Sequence, residues 1–286
     1  MKLVSLKVDG LEQAGITIPS GYVLVNTVNQ VENTSWSTSI YELIMTEQLD
    51  ALIAWVNGAG QEKLPTMEVI PMAVAQMAPI YRHPRKIWGI GMNYVKDPAE
   101  LADLPVDDEP VSFMKPDTTL IGEGDAIVLP PQSTKVTTEA ELAIVIGKTC
   151  KNISEEEAVN FVAGFVATLD TTAADIHAKN QRFLTRAKSF DTFFTLGSEL
   201  ITTDEVGNVL DLQVETWLNG EMQHKNVISN MRFQPWYAVA FHSQVMTLLP
   251  GDIILTGTPG AVVIRGGDVV ECRISGFTPL LSKVVE

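Results

Sequence analysis

The alternation of apolar and polar positions divides this chain into a short first part and a longer second one. KLVSLKVDG, residues 2–10, reads as a strand ending in an Asp-Gly turn, and GYVLVNTV, residues 21–28, as a second strand. From Ser37 to Gly60 the apolar spacing turns helical: Ile40, Leu43, Ile44, Leu49, Leu52, Ile53 and Val56 recur every three or four residues. Ser37 or Ser39 can cap this helix, and Asn57-Gly58 closes it. A stretch rich in proline and methionine, residues 64–86, then leads into the main body. There the pattern becomes a series of short strands: KIWGIGMN, DAIVLP, ELAIVIG, FVATLD, DLQVETWLNGE with a hairpin turn at Asn219-Gly220, GDIILTG and GDVVECRI. Ser154 and Glu157 have capping-box spacing. Many short strands with few helices predict an α+β fold with a rolled, barrel-like body, and a small α+β domain before it. The division falls at 1–80 and 81–286.

Composition narrows the function. The 286 residues are 45% hydrophobic and 19% charged, ordinary for a globular protein able to bury a large core. A net charge of −15 disfavours nucleic acid and anionic membrane surfaces as partners, since both require a positive field. No run of about 18 apolar residues suggests a membrane span. Cys150 and Cys272 lie far apart without CxxC spacing, which fits a reducing cytosol and argues against a disulfide framework or a thiolate zinc site. An acidic protein acting on a small anion needs local positive charge, and a divalent metal would supply it.

Residues 137–147, TTEAELAIVIG, pose a physical problem. Glu139 and Glu141 occupy i and i+2 of a β-branched strand, so they share a face about 6.5–7 Å apart along it. Two like charges so placed repel, and burial strips their hydration. Asp170 closes a second apolar strand, VAGFVATLD. Each acid has an ordinary alternative: an exposed strand start for the glutamates, a turn cap for the aspartate. Together, three carboxylates at the ends of apolar strands match what Mg²⁺ or Mn²⁺ requires. TGTPG lacks the Gly-Lys-Ser/Thr continuation of a phosphate loop, and GIGMN opens no dinucleotide motif.

EAELAIVIGK, AGFVATLDTTAAD, KSFDTF and LPGDIILTGTPGAV resemble, in order and spacing, the fumarylacetoacetate hydrolase family. GIGMNY, PVSFMKPDTTLIG and GGDVVE extend the resemblance over residues 80–286. It implies that Glu139, Glu141 and Asp170 hold Mg²⁺, Mn²⁺ or Ca²⁺, which chelates a 2-oxo or β-diketo acid. It also implies that Lys188 projects into the site as a proton carrier, and that Thr258 and Gly257, with Asn93 and Tyr94, bind substrate. A homodimer is implied as well.

Two departures bear on the reaction. Hydrolases of the family carry Asn-Tyr-x-x-His-x-x-Glu in a lid, whereas this chain has Asp97 at the histidine position and keeps Glu100. After Asp170, Ala174 and His177 stand where the family has arginine and glutamine. Without the lid histidine, water activation is impaired. Chelation of a 2-oxo acid still stabilises an enolate, with Lys188 or His177 moving the proton. The expected activity is decarboxylation or keto–enol isomerisation, with C–C hydrolysis through Glu100 as the alternative and a catalytically retired binding protein as the reading from another class. Residues 94–109, acidic and proline-rich, are expected to form a lid with one or two helical turns, mobile until substrate binds.

Overall fold

The computed structural model describes residues 1–105 and 107–286; Val106, inside the expected lid, lies outside the described residues. In chain order the strands are β1 (Lys2–Val8), β2 (Leu11–Ile18), β3 (Gly21–Leu24), β4 (Ile87–Gly91), β5 (Val111–Lys115), β6 (Leu120–Ile121), β7 (Ala126–Val128), β8 (Val136–Ile146), β9 (Val162–Ala173), β10 (Phe194–Leu196), β11 (Glu199–Thr202), β12 (Gln213–Leu218), β13 (Glu221–Val227), β14 (Ile253–Leu255), β15 (Ala261–Ile264), β16 (Val269–Ile274) and β17 (Leu280–Val285). Helices α1 (Val25–Glu32), α2 (Ile40–Met45), α3 (Leu49–Asn57) and α4 (Gly60–Lys63) follow β3. Helices α5 (Ala174–Lys179) and α6 (Leu184–Lys188) follow β9, α7 (Thr203–Val206) follows β11, and α8 (Pro235–Val245) precedes β14.

Two open sheets make the α+β body. The larger has twelve strands along the path β3-β2-β1-β11-β9-β8-β14-β4-β5, with β6, β10 and β15 attached; the smaller runs β13-β12-β16-β17-β7. Strands β8 and β9 form the longest ladder, pairing antiparallel from Val136↔Ala173 to Ile146↔Val162. Both faces of β8 are covered. Leu142, Ile144 and Ile146 join a core with Val214, Val270 and Cys272 of the smaller sheet, while Ala143 and Val145 join a core with the N-terminal helices. This double burial is why the run reads as continuously apolar. Glu139 and Glu141 share the face of Ala143 and Val145. Both cysteines are free and buried. Among the described residues no helix is long and apolar enough to cross a membrane.

The N-terminal segment departs from its sequence pattern in two places. The second strand is Leu11–Ile18, while GYVLVNTV is split, with β3 ending at Leu24 and the rest forming α1. Val25 and Val28 are the buried residues of α1, a helical spacing hidden inside a run that also alternates. The long helix is broken as well: Glu47 adopts a left-handed φ of 58° between α2 and α3. Ser39 stands at the N-cap of α2 without a side-chain capping bond, and the Ser37 hydroxyl instead donates to Glu42 Oε2 at 2.6 Å. Strand β1 pairs with β11, so residues 1–24 continue the large sheet. The Ser154–Glu157 box is formed reciprocally but leads into a short 3-10 helix, Ala158–Phe161. Asn219 and Gly220, both at positive φ, turn the β12–β13 hairpin.

Candidate active site

The β8–β9 register builds the site. Glu139 sits directly opposite Asp170, and Glu141 opposite Thr168, so the three carboxylates converge on one face. One oxygen from each lies within 4.8 Å of the others. Asp170 is fully buried, whereas the Glu139 side chain keeps 16% of its surface exposed and marks the opening.

Two lysines answer the three acids. Lys188, the last residue of α6, donates from Nζ to Glu139 Oε1 at 3.1 Å, to Thr172 Oγ1 at 3.0 Å and to Asp170 Oδ2. The second is Lys115 of β5, absent from the residues picked out in the sequence. Its Nζ donates to the carbonyls of Thr171 (2.9 Å), Lys188 (2.9 Å) and Phe193 (2.7 Å). An ammonium has three protons, and these are all committed. The ammonium also lies 2.6 Å from Asp170 Oδ1, a buried ion pair shared with the three carbonyl bonds. The signal was available: a lysine in the apolar strand VSFMK, just before a proline.

Burial and charge set the titration of the cluster. Burial pushes Glu141 well above the usual carboxylate range, reinforced by Asp170 and Glu139 and opposed by Lys188 and by the Gly257 N–H, which donates to Glu141 Oε2 at 2.7 Å. Burial also raises Glu139, against the pull of Lys188. For Asp170 burial acts upward, but Lys115 and Lys188 outweigh it and hold the group below its ordinary value. Burial lowers Lys115 to about 8 despite Asp170. Lys188 moves upward, because Asp170 and Glu139 overcome its burial.

The remaining residues singled out from the sequence are placed as follows. Gly257, at φ +93°, holds its N–H on Glu141; a Cβ there would lie 2.8 Å from Asn93 Cβ. Asn93 is 1% exposed and spends its amide on backbone: Nδ2 donates to Phe233 O (2.9 Å) and Thr256 O (2.7 Å), and Oδ1 accepts from Phe233 N at 2.8 Å. The Tyr94 hydroxyl is buried without a partner among the described residues; burial raises it well above its ordinary value, with Glu141 contributing. Thr258 Oγ1 closes its own turn, accepting from Gly260 N at 3.1 Å. His177 lies half-buried on α5 and makes no side-chain hydrogen bond among the described residues. Glu100 is exposed on a 3-10 helix, Pro98–Asp103. There it forms a capping box with Asp97: Asp97 Oδ1 accepts from Ala99 N at 2.9 Å, and Glu100 Oε1 accepts from Asp97 N at 3.0 Å.

A profile described as Fumarylacetoacetate (FAA) hydrolase C-terminal matches residues 86–285. The chain belongs to the fumarylacetoacetate hydrolase family. The mitochondrial oxaloacetate tautomerase FAHD2A of Homo sapiens is 37% identical over 251 residues, 84% of this chain and 79% of that protein. A maleylpyruvate hydrolase from Sphingobium sp. SYK-6, solved in complex with manganese(II) and pyruvate, has TM-score 0.79 at 28% identity, covering 100% of this chain and 99% of that one. A 2-hydroxyhepta-2,4-diene-1,7-dioate isomerase from Mycobacterium marinum has TM-score 0.74 at 27% identity, covering 100% and 98%.

The residues present fit a divalent cation of the kind found in one of these family members. Ionised as metal ligands must be, the three carboxylates exceed the two ammoniums by one negative charge in a buried site, which a dication reverses. Asp170 Oδ1, buried against the Lys115 ammonium, is a hard anionic oxygen of the kind a divalent cation takes. Where the family's hydrolases carry histidine in the lid, Asp97 has a local task, capping the 3-10 helix that follows it.

Proposed function

We propose that this chain is a divalent-metal-dependent enzyme that interconverts keto and enol forms of small 2-oxo or β-diketo acids. Decarboxylation is the companion outcome for substrates bearing a β-carboxylate. The observation that carries this reading is Lys188 seated on the Glu139–Asp170 pair, while Asp97 and Glu100 bond to one another on an exposed 3-10 helix. The 37% identity to an oxaloacetate tautomerase supports it.

Glu139, Glu141 and Asp170 would hold the cation. When bound, it supplies Lewis acidity that draws electron density from a 2-oxo carbonyl. The chain's own groups supply the rest. Lys188 Nζ holds the proton exchanged between the substrate's oxygen and carbon, and Glu139 and Asp170 keep that ammonium in place. The Gly257 N–H fixes Glu141 Oε2, so this ligand cannot swing away. Asn93 ties the backbone of Phe233 and Thr256 together beside Gly257, which steadies the turn that carries the Gly257 N–H.

The structural likeness to a maleylpyruvate hydrolase motivates a second reading, C–C hydrolysis, in which Glu100 would orient water. Proton NMR in D₂O, with Mg²⁺ and either oxaloacetate or an acylpyruvate, separates the two. The E139Q/E141Q double variant controls for decarboxylation by free metal. Enzyme-dependent deuterium exchange at the carbon between the carbonyls, without acylpyruvate cleavage, is expected. Release of pyruvate and a second acid would establish hydrolysis, and turnover unchanged in the double variant would remove the metal site.

A further inference from the structure

Besides the carboxylates and Thr172, one aromatic ring lies against the Lys188 ammonium. The Phe113 ring centroid lies 4.3 Å from Lys188 Nζ, well inside the range of a cation–π contact. Phe113 is 3% exposed, and it shares a face of β5 with Lys115, so one strand serves both lysines. All three Lys188 protons have oxygen partners, so the ring acts on the charge as a whole.

Across the ladder from Phe113 is Gly89 of β4. A Cβ on Gly89 would fall 2.2 Å from Phe113 Cζ, 2.6 Å from Cε2 and 2.8 Å from Cε1. The ring thus occupies the space that any larger residue at 89 would claim, and the glycine is what lets it lie flat beneath the ammonium.

We infer that Phe113 is a positioning residue for Lys188: its ring face holds the ammonium against the carboxylates and keeps water from its far side, with Gly89 providing the room. This rests on Lys188 being the proton carrier of the reading above. A residue that merely filled the core would be indifferent to the charge distribution of its ring.

The test replaces Phe113 in the whole 286-residue chain, loaded with Mg²⁺, with 4-fluoro-, 3,5-difluoro- and 3,4,5-trifluorophenylalanine. These keep the ring's shape while draining its negative face. Oxaloacetate tautomerisation is expected to lose kcat stepwise, about tenfold at three fluorines, with KM little changed and the melting temperature held. F113L should lose at least as much kcat. In the metal-free protein, Lys188 Hε protons should resonate upfield of an ordinary lysine and return to normal in F113L. A flat kcat across the fluorine series, with K188M inactive, would overturn the positioning role alone. Full activity in K188M would overturn the reading of Lys188 and this inference with it.

Discussion

Replacing Lys115 by methionine, a residue of similar length without charge, should make the protein less stable and its metal site stronger. In the fold Lys115 is completely buried, gives hydrogen bonds to three backbone carbonyls and lies 2.6 Å from Asp170 Oδ1. One of those carbonyls, Phe193 O, keeps another donor in Thr171 N at 3.0 Å. The substitution therefore strips partners from two carbonyls, at about 1–3 kcal/mol for each one left orphaned. It also leaves the Asp170 charge half compensated. Breaking a buried pair from one side typically costs about 3–5 kcal/mol, and the better burial of a thioether offsets a small part. Metal affinity should move the other way. Two unit charges about 4 Å apart at an effective dielectric of about 20 interact by about 4 kcal/mol, so removing a cation that repels the metal strengthens binding. Even if most of that is lost to proton uptake by the carboxylates, Mn²⁺ should bind at least about tenfold more tightly. Urea unfolding with and without Mn²⁺, together with calorimetric titration of the metal, measures both quantities. A stability loss below about 1 kcal/mol, or metal binding unchanged or weaker, would refute the reasoning.

Three further changes have defined outcomes. Gly257→Ala places a Cβ at φ +93°, 2.8 Å from Asn93 Cβ, and should cost about 1–3 kcal/mol and weaken Mn²⁺ binding as the N–H leaves Glu141; urea midpoints and metal titration check this. His242 is buried, with Nδ1 donating to Ala238 O at 2.7 Å and Nε2 assigned as acceptor from Ser112 Oγ at 2.9 Å; burial lowers it to about 4. The unfolded chain takes up a proton below about pH 6.5 that the fold refuses, so its share of stability is complete above that pH. As pH falls towards 4 the fold should lose up to ~3 kcal/mol, a slope that H242Q flattens in urea titrations at successive pH values. Asp97→Ala removes the side-chain cap on Ala99 N, worth about 1 kcal/mol, and should raise protease nicking within residues 98–105 about fivefold; an unchanged nicking rate would remove the capping role.

Much of this protein could be read from its sequence, because the decisive patterns are local. The apolar run after Glu141 fixed a buried strand, the i, i+2 spacing put two carboxylates on one face, and Asn219-Gly220 fixed a hairpin; each depends only on the strand period or on permitted φ values. Ordered motifs added the family. Sequence failed where two local periods fit the same residues, as in GYVLVNTV, and where one left-handed residue, Glu47, divides a helical pattern. Tertiary structure alone decided the β8–β9 register that sets Glu139 opposite Asp170. It also brought Lys115 and Phe113, more than fifty residues upstream of Asp170, to the cluster. Electrostatic compensation acts through space and ignores chain order, so a buried acid is visible in sequence while the cation that answers it is found only when the strands are laid side by side.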